Sequence, residues 1–191
     1  MDILKTIADK KVIIFELDDL IYPKRDYDLQ VYYLFANFIE FTEGYPASAD
    51  LVSFAKQAYE AHGALGIFER MQEAFGLGEQ YREQLQRLYA NAQLPLKLFL
   101  FEDIKNLFEQ LIQADKKIVI LTAGNPVEKL NKIKHIAWDT WAKDLKVYFQ
   151  DELNFRNIQA AEFIASEFNV TVADLHFFSE RHGHELISKE L

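Results

Sequence analysis

The chain has 191 residues, half of them hydrophobic and 27% charged, with 21 basic against 30 acidic side chains and no cysteine. That length and hydrophobic fraction suit one domain, or one domain with a sizeable insertion, and exclude a disordered or low-complexity chain. A net charge of −9 with no basic patch argues against nucleic-acid binding, and the missing cysteines exclude disulfides, zinc–thiolate sites and a thiol nucleophile.

The chain opens Met1-Asp2-Ile3-Leu4-Lys5, with no long apolar run before Asp9, Lys10 and Lys11, so it does not read as a signal peptide. No uncharged stretch approaches the roughly 18 apolar residues of a membrane span. The expectation is a cytoplasmic protein without a nucleic-acid or membrane partner. Val12-Ile13-Ile14-Phe15 is a short apolar run of the kind buried on both faces of a parallel sheet, and Glu16, Asp18 and Asp19 follow it at once.

From 21 to 94 the pattern is helical. Leu29, Tyr32, Tyr33, Ala36 and Ile39 keep the three-and-four spacing of an amphipathic helix. Pro46 interrupts, and Ser48 to Asp50 offer N-cap chemistry for a helix to about Ala61. Gly63, Gly66, Gly76 and Gly78 punctuate the chain before a helix over 79–91, which Pro95 closes. The aromatic side chains of the first of these helices (Tyr27, Tyr32, Tyr33, Phe35, Phe38, Phe41) read as core.

After Pro95 the rhythm alternates. Helices are expected over 102–114, 126–135 and 157–168, and strands over 117–122, 146–149 and 175–179. Such alternation predicts an α/β fold with a mostly parallel, Rossmann-like sheet flanked by helices. The expected division is an α/β core of 1–20 and 95–191, with an all-helical insertion, 21–94, after the first strand.

In a parallel sheet, ligands sit at the carboxyl ends of the strands. The first strand end offers Glu16, Asp18 and Asp19; the second offers Thr122-Ala123-Gly124-Asn125; the last offers Ser179-Glu180, with His182, His184 and Glu185 beyond. Two histidines two apart do not share a helix face and read as surface residues. There is no phosphate-cradling loop ending in Lys-Ser or Lys-Thr, no Gly-x-Gly-x-x-Gly and no Gly-x-Ser-x-Gly, so nucleotide motors, dinucleotide enzymes and serine hydrolases lack support.

These strand ends resemble the haloacid dehalogenase-like (HAD) superfamily. Phe15-Glu16-Leu17-Asp18-Asp19-Leu20-Ile21-Tyr22 is similar to its first motif, an apolar strand ending Asp-x-Asp-x-Thr. Thr122 matches the Thr or Ser of the second, and Phe177-Phe178-Ser179-Glu180 stands where the fourth has Gly-Asp. The insertion falls where that superfamily carries its first type of helical cap.

The resemblance implies Mg²⁺-dependent hydrolysis of a small phosphate ester. Its first aspartate attacks phosphorus and its second protonates the leaving group, a role that falls here on Asp18. A Thr with its loop and a cation hold the phosphoryl oxygens; here these are Thr122, Ala123 and either Lys132 or Arg156. Mg²⁺ is held by the first acid (Glu16), the main chain of Asp18 and the acid of the fourth motif (Glu180). Those cations and donors are needed because a carboxylate cannot otherwise approach a phosphate.

Three departures bear on activity. Glu16 and Glu180 replace aspartates, and Leu20 replaces a threonine. One extra methylene displaces a carboxylate by about an ångström, which can cost on the order of 100-fold in rate. The expectation is therefore a HAD-like hydrolase with weakened or lost activity. The alternative is a non-catalytic module that binds a phospho-ligand or a protein on the same scaffold. An active dehalogenase is less favoured, since that chemistry also needs an aspartate nucleophile. Only eleven residues follow Glu180, where members of the superfamily usually continue with a helix and a further strand. An exposed sheet edge there would favour a homodimer.

Overall fold

The computed structural model describes residues 3–138, 142–143 and 145–191. The chain divides into two compact units: Met1–Pro23, Phe99–Pro126 and Ile136–Leu191 form one, and Lys24–Leu98 with Val127–His135 form the other.

The first unit is built on a five-stranded sheet of order β3-β2-β1-β4-β5. Its strands are β1 (Val12–Phe15), β2 (Lys117–Thr122), β3 (Lys146–Phe149), β4 (Leu175–His182) and β5 (Glu185–Ser188). β1 lies at the centre, parallel to both β2 and β4, with Phe15 opposite Ile120 and Phe178. All four β1 side chains are fully buried, which is why the segment reads as an unbroken apolar run and not as an alternation.

On one face Val12, Ile14, Val119 and Leu121 pack with Leu153, Ile164 and Ala165. Elsewhere in this unit the Phe15 ring meets Phe108 of α6 (Glu102–Gln113) edge-on at 4.8 Å and lies 5.5 Å from Phe178. Phe108 comes from the apolar stripe of α6, where Ile104, Leu107, Phe108 and Leu111 are all buried. A short α1 (Ile3–Thr6) precedes β1.

Two expectations need correction here. β4 does not stop at Ser179: it runs to His182, and Gly183, at φ +60°, helps reverse the chain into β5, which pairs with β4 antiparallel. β5 therefore pairs with the strand of the last motif and is itself the edge strand on that side of the sheet. The helix expected over 157–168 is α9 (Ala160–Glu167), and a helix that the expectations left out, α8 (Gln150–Phe155), precedes it. α8 buries only Leu153, too little apolar periodicity to announce a helix. Asn157, at φ +55°, follows its end in the left-handed conformation asparagine tolerates.

The second unit comprises α2 (Lys24–Glu43), α3 (Ser48–His62), α4 (Ile67–Phe75) and α5 (Tyr81–Asn91), with nearly all of α7 (Pro126–His135). The α2 stripe Tyr27, Val31, Tyr32, Phe35, Ala36 and Ile39 is buried, whereas Tyr33 and Phe41 face solvent. Gly66 and Gly76, both left-handed, bracket α4, and Gly76 caps it by donating to Gln72 O.

Val127–His135 groups with these helices, although its position in sequence suggested the α/β core. Polar links explain the grouping. Asn131 Nδ2 donates to Tyr27 Oη and to Ala92 O, both at 3.0 Å. His135 bonds Asn131 O through Nδ1 and accepts from the Leu94 N–H at Nε2. Among the described residues, no helix is long and apolar enough to cross a membrane.

Candidate functional site

The carboxyl ends of β1, β2 and β4 meet at one edge of the α/β unit. The Glu16 N–H donates to Phe178 O at 3.0 Å, so the ladder persists one residue past β1 and fixes where the Glu16 side chain starts. Its carboxylate turns back onto the protein. Oε1 accepts from the Leu17 N–H at 2.9 Å and from the Thr122 hydroxyl across the strand pair. Thr122 is fully buried. A hydrogen bond of this charged kind is stronger than a neutral one, so it holds both side chains in place.

Beyond Glu16 the chain makes a tight loop in which the Ile21 N–H returns to Leu17 O. Asp19 sits in that loop at φ +58°, a conformation that aspartate tolerates better than most residues. Asp18 Oδ1 accepts at 2.8 Å from the hydroxyl of the buried Tyr22. At the end of β2 the Gly124 N–H donates to Asp151 Oδ2 at 2.8 Å, so a carboxylate already occupies a donor of that loop.

A cavity of about 420 Å³ opens here, lined by Glu16, Ala123, Gln150, Ser179, Glu180 and Lys189 among others. The structure thus brings Glu16, Ala123 and Glu180 to one cavity, with Thr122 bonded beneath. Glu180 lies on β4 beyond a register shift and is 65% exposed, with its carboxylate 3.8 Å from His182 Nε2. His182 and His184 are exposed, as surface residues would be.

Lys132 belongs to the helical unit, fully buried, 2.7 Å from Glu128 and 5.0 Å above the Tyr27 ring. Its spacing on α7 suits an intrahelical pair with the residue four before it. Arg156 is exposed and lines a different cavity, with Tyr148, Glu152 and Phe163. The cation that does line the Glu16 cavity is Lys189. The sequence carries no signal for it, because it lies past the last motif and comes into place only through the β4–β5 hairpin.

The Mg²⁺ set implied by the resemblance uses Glu16, the main chain of Asp18 and Glu180. Among the described residues, no three His, Asp or Glu side chains are grouped to hold a metal. With Glu16 turned onto Thr122 and Glu180 beside His182, the donors do not fit a small octahedral ion.

No protein-family profile matches the chain, and no curated protein matches it. Solved structures do. A haloacid dehalogenase-like family hydrolase from Xanthomonas campestris is similar at 14% identity and TM-score 0.46, over 88% of this chain and 72% of that one. A putative beta-phosphoglucomutase from Thermotoga maritima is similar at 16% identity and TM-score 0.49, over 88% and 75%. A HAD family hydrolase from Deinococcus radiodurans, holding phosphate and sodium, is similar at 9% identity and TM-score 0.45, over 94% and 84%. The chain is thus similar to haloacid dehalogenase-like hydrolases of known structure, the superfamily its strand-end motifs resemble.

Proposed function

We propose that this chain is a HAD-like hydrolase scaffold on which hydrolysis of small phosphate esters has been weakened or lost. The observation that carries this reading is the hydrogen bond from the Thr122 hydroxyl to the Glu16 carboxylate. It joins the group proposed to hold a phosphoryl oxygen to the group proposed to attack phosphorus, so each occupies the other. The longer glutamate makes this possible. An aspartate at position 16 would end one methylene short and leave the hydroxyl to a ligand. Asp18 is the proposed acid–base group, and it already has a hydrogen-bond donor in Tyr22. The Asp151 carboxylate on Gly124 is a further reason why a phosphate would find its donors engaged.

The test is hydrolysis of a broad panel of small phosphate esters with and without Mg²⁺, with Asp18→Asn run in parallel. The expected result is no metal-dependent turnover above that of Asp18→Asn. Turnover that vanishes in Asp18→Asn would mean that the glutamate site works, and the reading would fail. Stabilisation by a phosphate ester without turnover would shift the assignment to the binding alternative.

A further inference from the structure

β5 ends the sheet, with β4 on one side and no strand on the other. One hydrogen bond fixes which of its backbone groups face the open side. The Lys189 N–H turns towards β4 and donates to Phe177 O at 3.1 Å. Along an antiparallel ladder such groups alternate, so Glu185 and Ile187 also face β4, while the N–H and C=O of Leu186 and Ser188 aim outward. Among the described residues, no backbone group of Leu186 or Ser188 bonds to an element outside the sheet. The common protections of an edge are missing too: β5 holds no proline and no lysine, and its middle is Leu186-Ile187.

The side chains along this edge are complementary to themselves. Glu185, Ile187 and Lys189 alternate onto one face, and Glu185 and Lys189 are exposed. Among the described residues, neither of these two charges has an ion pair or a side-chain hydrogen bond within the chain.

We propose that this edge joins two copies of the chain, β5 against β5, antiparallel about a two-fold axis at Ile187. Leu186 and the partner's Ser188 exchange both backbone hydrogen bonds, and the two Ile187 side chains meet on the axis. Glu185 stands opposite the partner's Lys189, and the symmetry repeats that pair. The charges select this register. An axis at Leu186 would set Glu185 against Ile187, and an axis at Ser188 would set Lys189 against Ile187 and Glu190 against Leu186. The proposal is independent of the reading given for the strand-end site.

The test is sedimentation velocity of the full chain up to about 100 μM, where a micromolar dissociation constant leaves mostly dimer. The native chain is expected to dimerise. Glu185→Lys sets like charges opposite each other across the edge and should weaken the dimer about tenfold or more, as should Lys189→Glu. Both positions are exposed, so each variant should keep the native thermal midpoint. Glu185→Lys combined with Lys189→Glu should restore dimerisation. Ile187→Cys gives the chain its only thiol and should form an intermolecular disulfide on oxidation, because opposed residues of this kind bring their Cα atoms to about 4.5 Å. A monomer at every concentration, a dimer indifferent to either single change, no rescue by the double change, or a dimer without the disulfide would overturn the proposal.

Discussion

The ends of β1 and β4 carry the same chemical change, a glutamate where the resemblance implies aspartate, with opposite structural results. Glu16 is seated, with its carboxylate held by the buried Thr122 hydroxyl and the Leu17 N–H. Glu180 is loose, mostly exposed beside His182 on a strand that has already shifted register. An added methylene therefore matters by what surrounds it. At the centre of the sheet it lets a carboxylate fold back onto a neighbouring strand. Beside the edge hairpin it only extends a side chain into water.

The largest expected effect breaks this contrast. The triple variant Glu16→Asp, Leu20→Thr and Glu180→Asp should gain Mg²⁺-dependent hydrolysis of p-nitrophenyl phosphate. The expected gain over the native chain is on the order of 100-fold, with most of it arising from position 16. A triple variant no faster than the native chain would count against the reading.

A third carboxylate sharpens the comparison. Asp28 on α2 is completely buried and ion-paired to Lys24, and its Oδ1 lacks a partner. Burial outweighs the pull of Lys24 and holds the Asp28 carboxyl above its ordinary value. A folded value above the unfolded one gives stability that is complete below about pH 4 and is lost as pH rises through the folded value. Asp28→Asn should therefore raise the thermal midpoint at pH 7 and leave it nearly unchanged at pH 3. An equal shift at both pH values would show that the charge is not the cause.

The smallest effect belongs to Glu180. Glu180→Gln should change unfolding free energy by less than about 0.5 kcal/mol in denaturant melts, as surface positions do. A larger loss would mean that this end of β4 is as tightly held as the end of β1.

Much of this arrangement was legible in the residues. The run Val12–Phe15 named the central strand because burial on both faces leaves no alternation to misread. The Glu16, Asp18 and Thr122 positions follow from strand ends in a parallel sheet. The β4–β5 hairpin was not legible, since Arg181, His182, Gly183 and His184 interrupt any apolar pattern and only Leu186 of β5 is buried. Lys189 was hidden for the same reason. The burial of Lys132 against Tyr27 was not legible either, because its spacing to Glu128 also suits a solvated helix pair.

The measurement that bears most directly on the account is a double-mutant cycle between positions 16 and 122. Glu16→Met and Thr122→Val, singly and together, would be read by equilibrium unfolding in urea. The account expects a coupling of about 2 kcal/mol, the worth of a hydrogen bond to a charged group. Additive effects within experimental error would show that Glu16 does not lean on Thr122, and the explanation for a silenced site would fall with it.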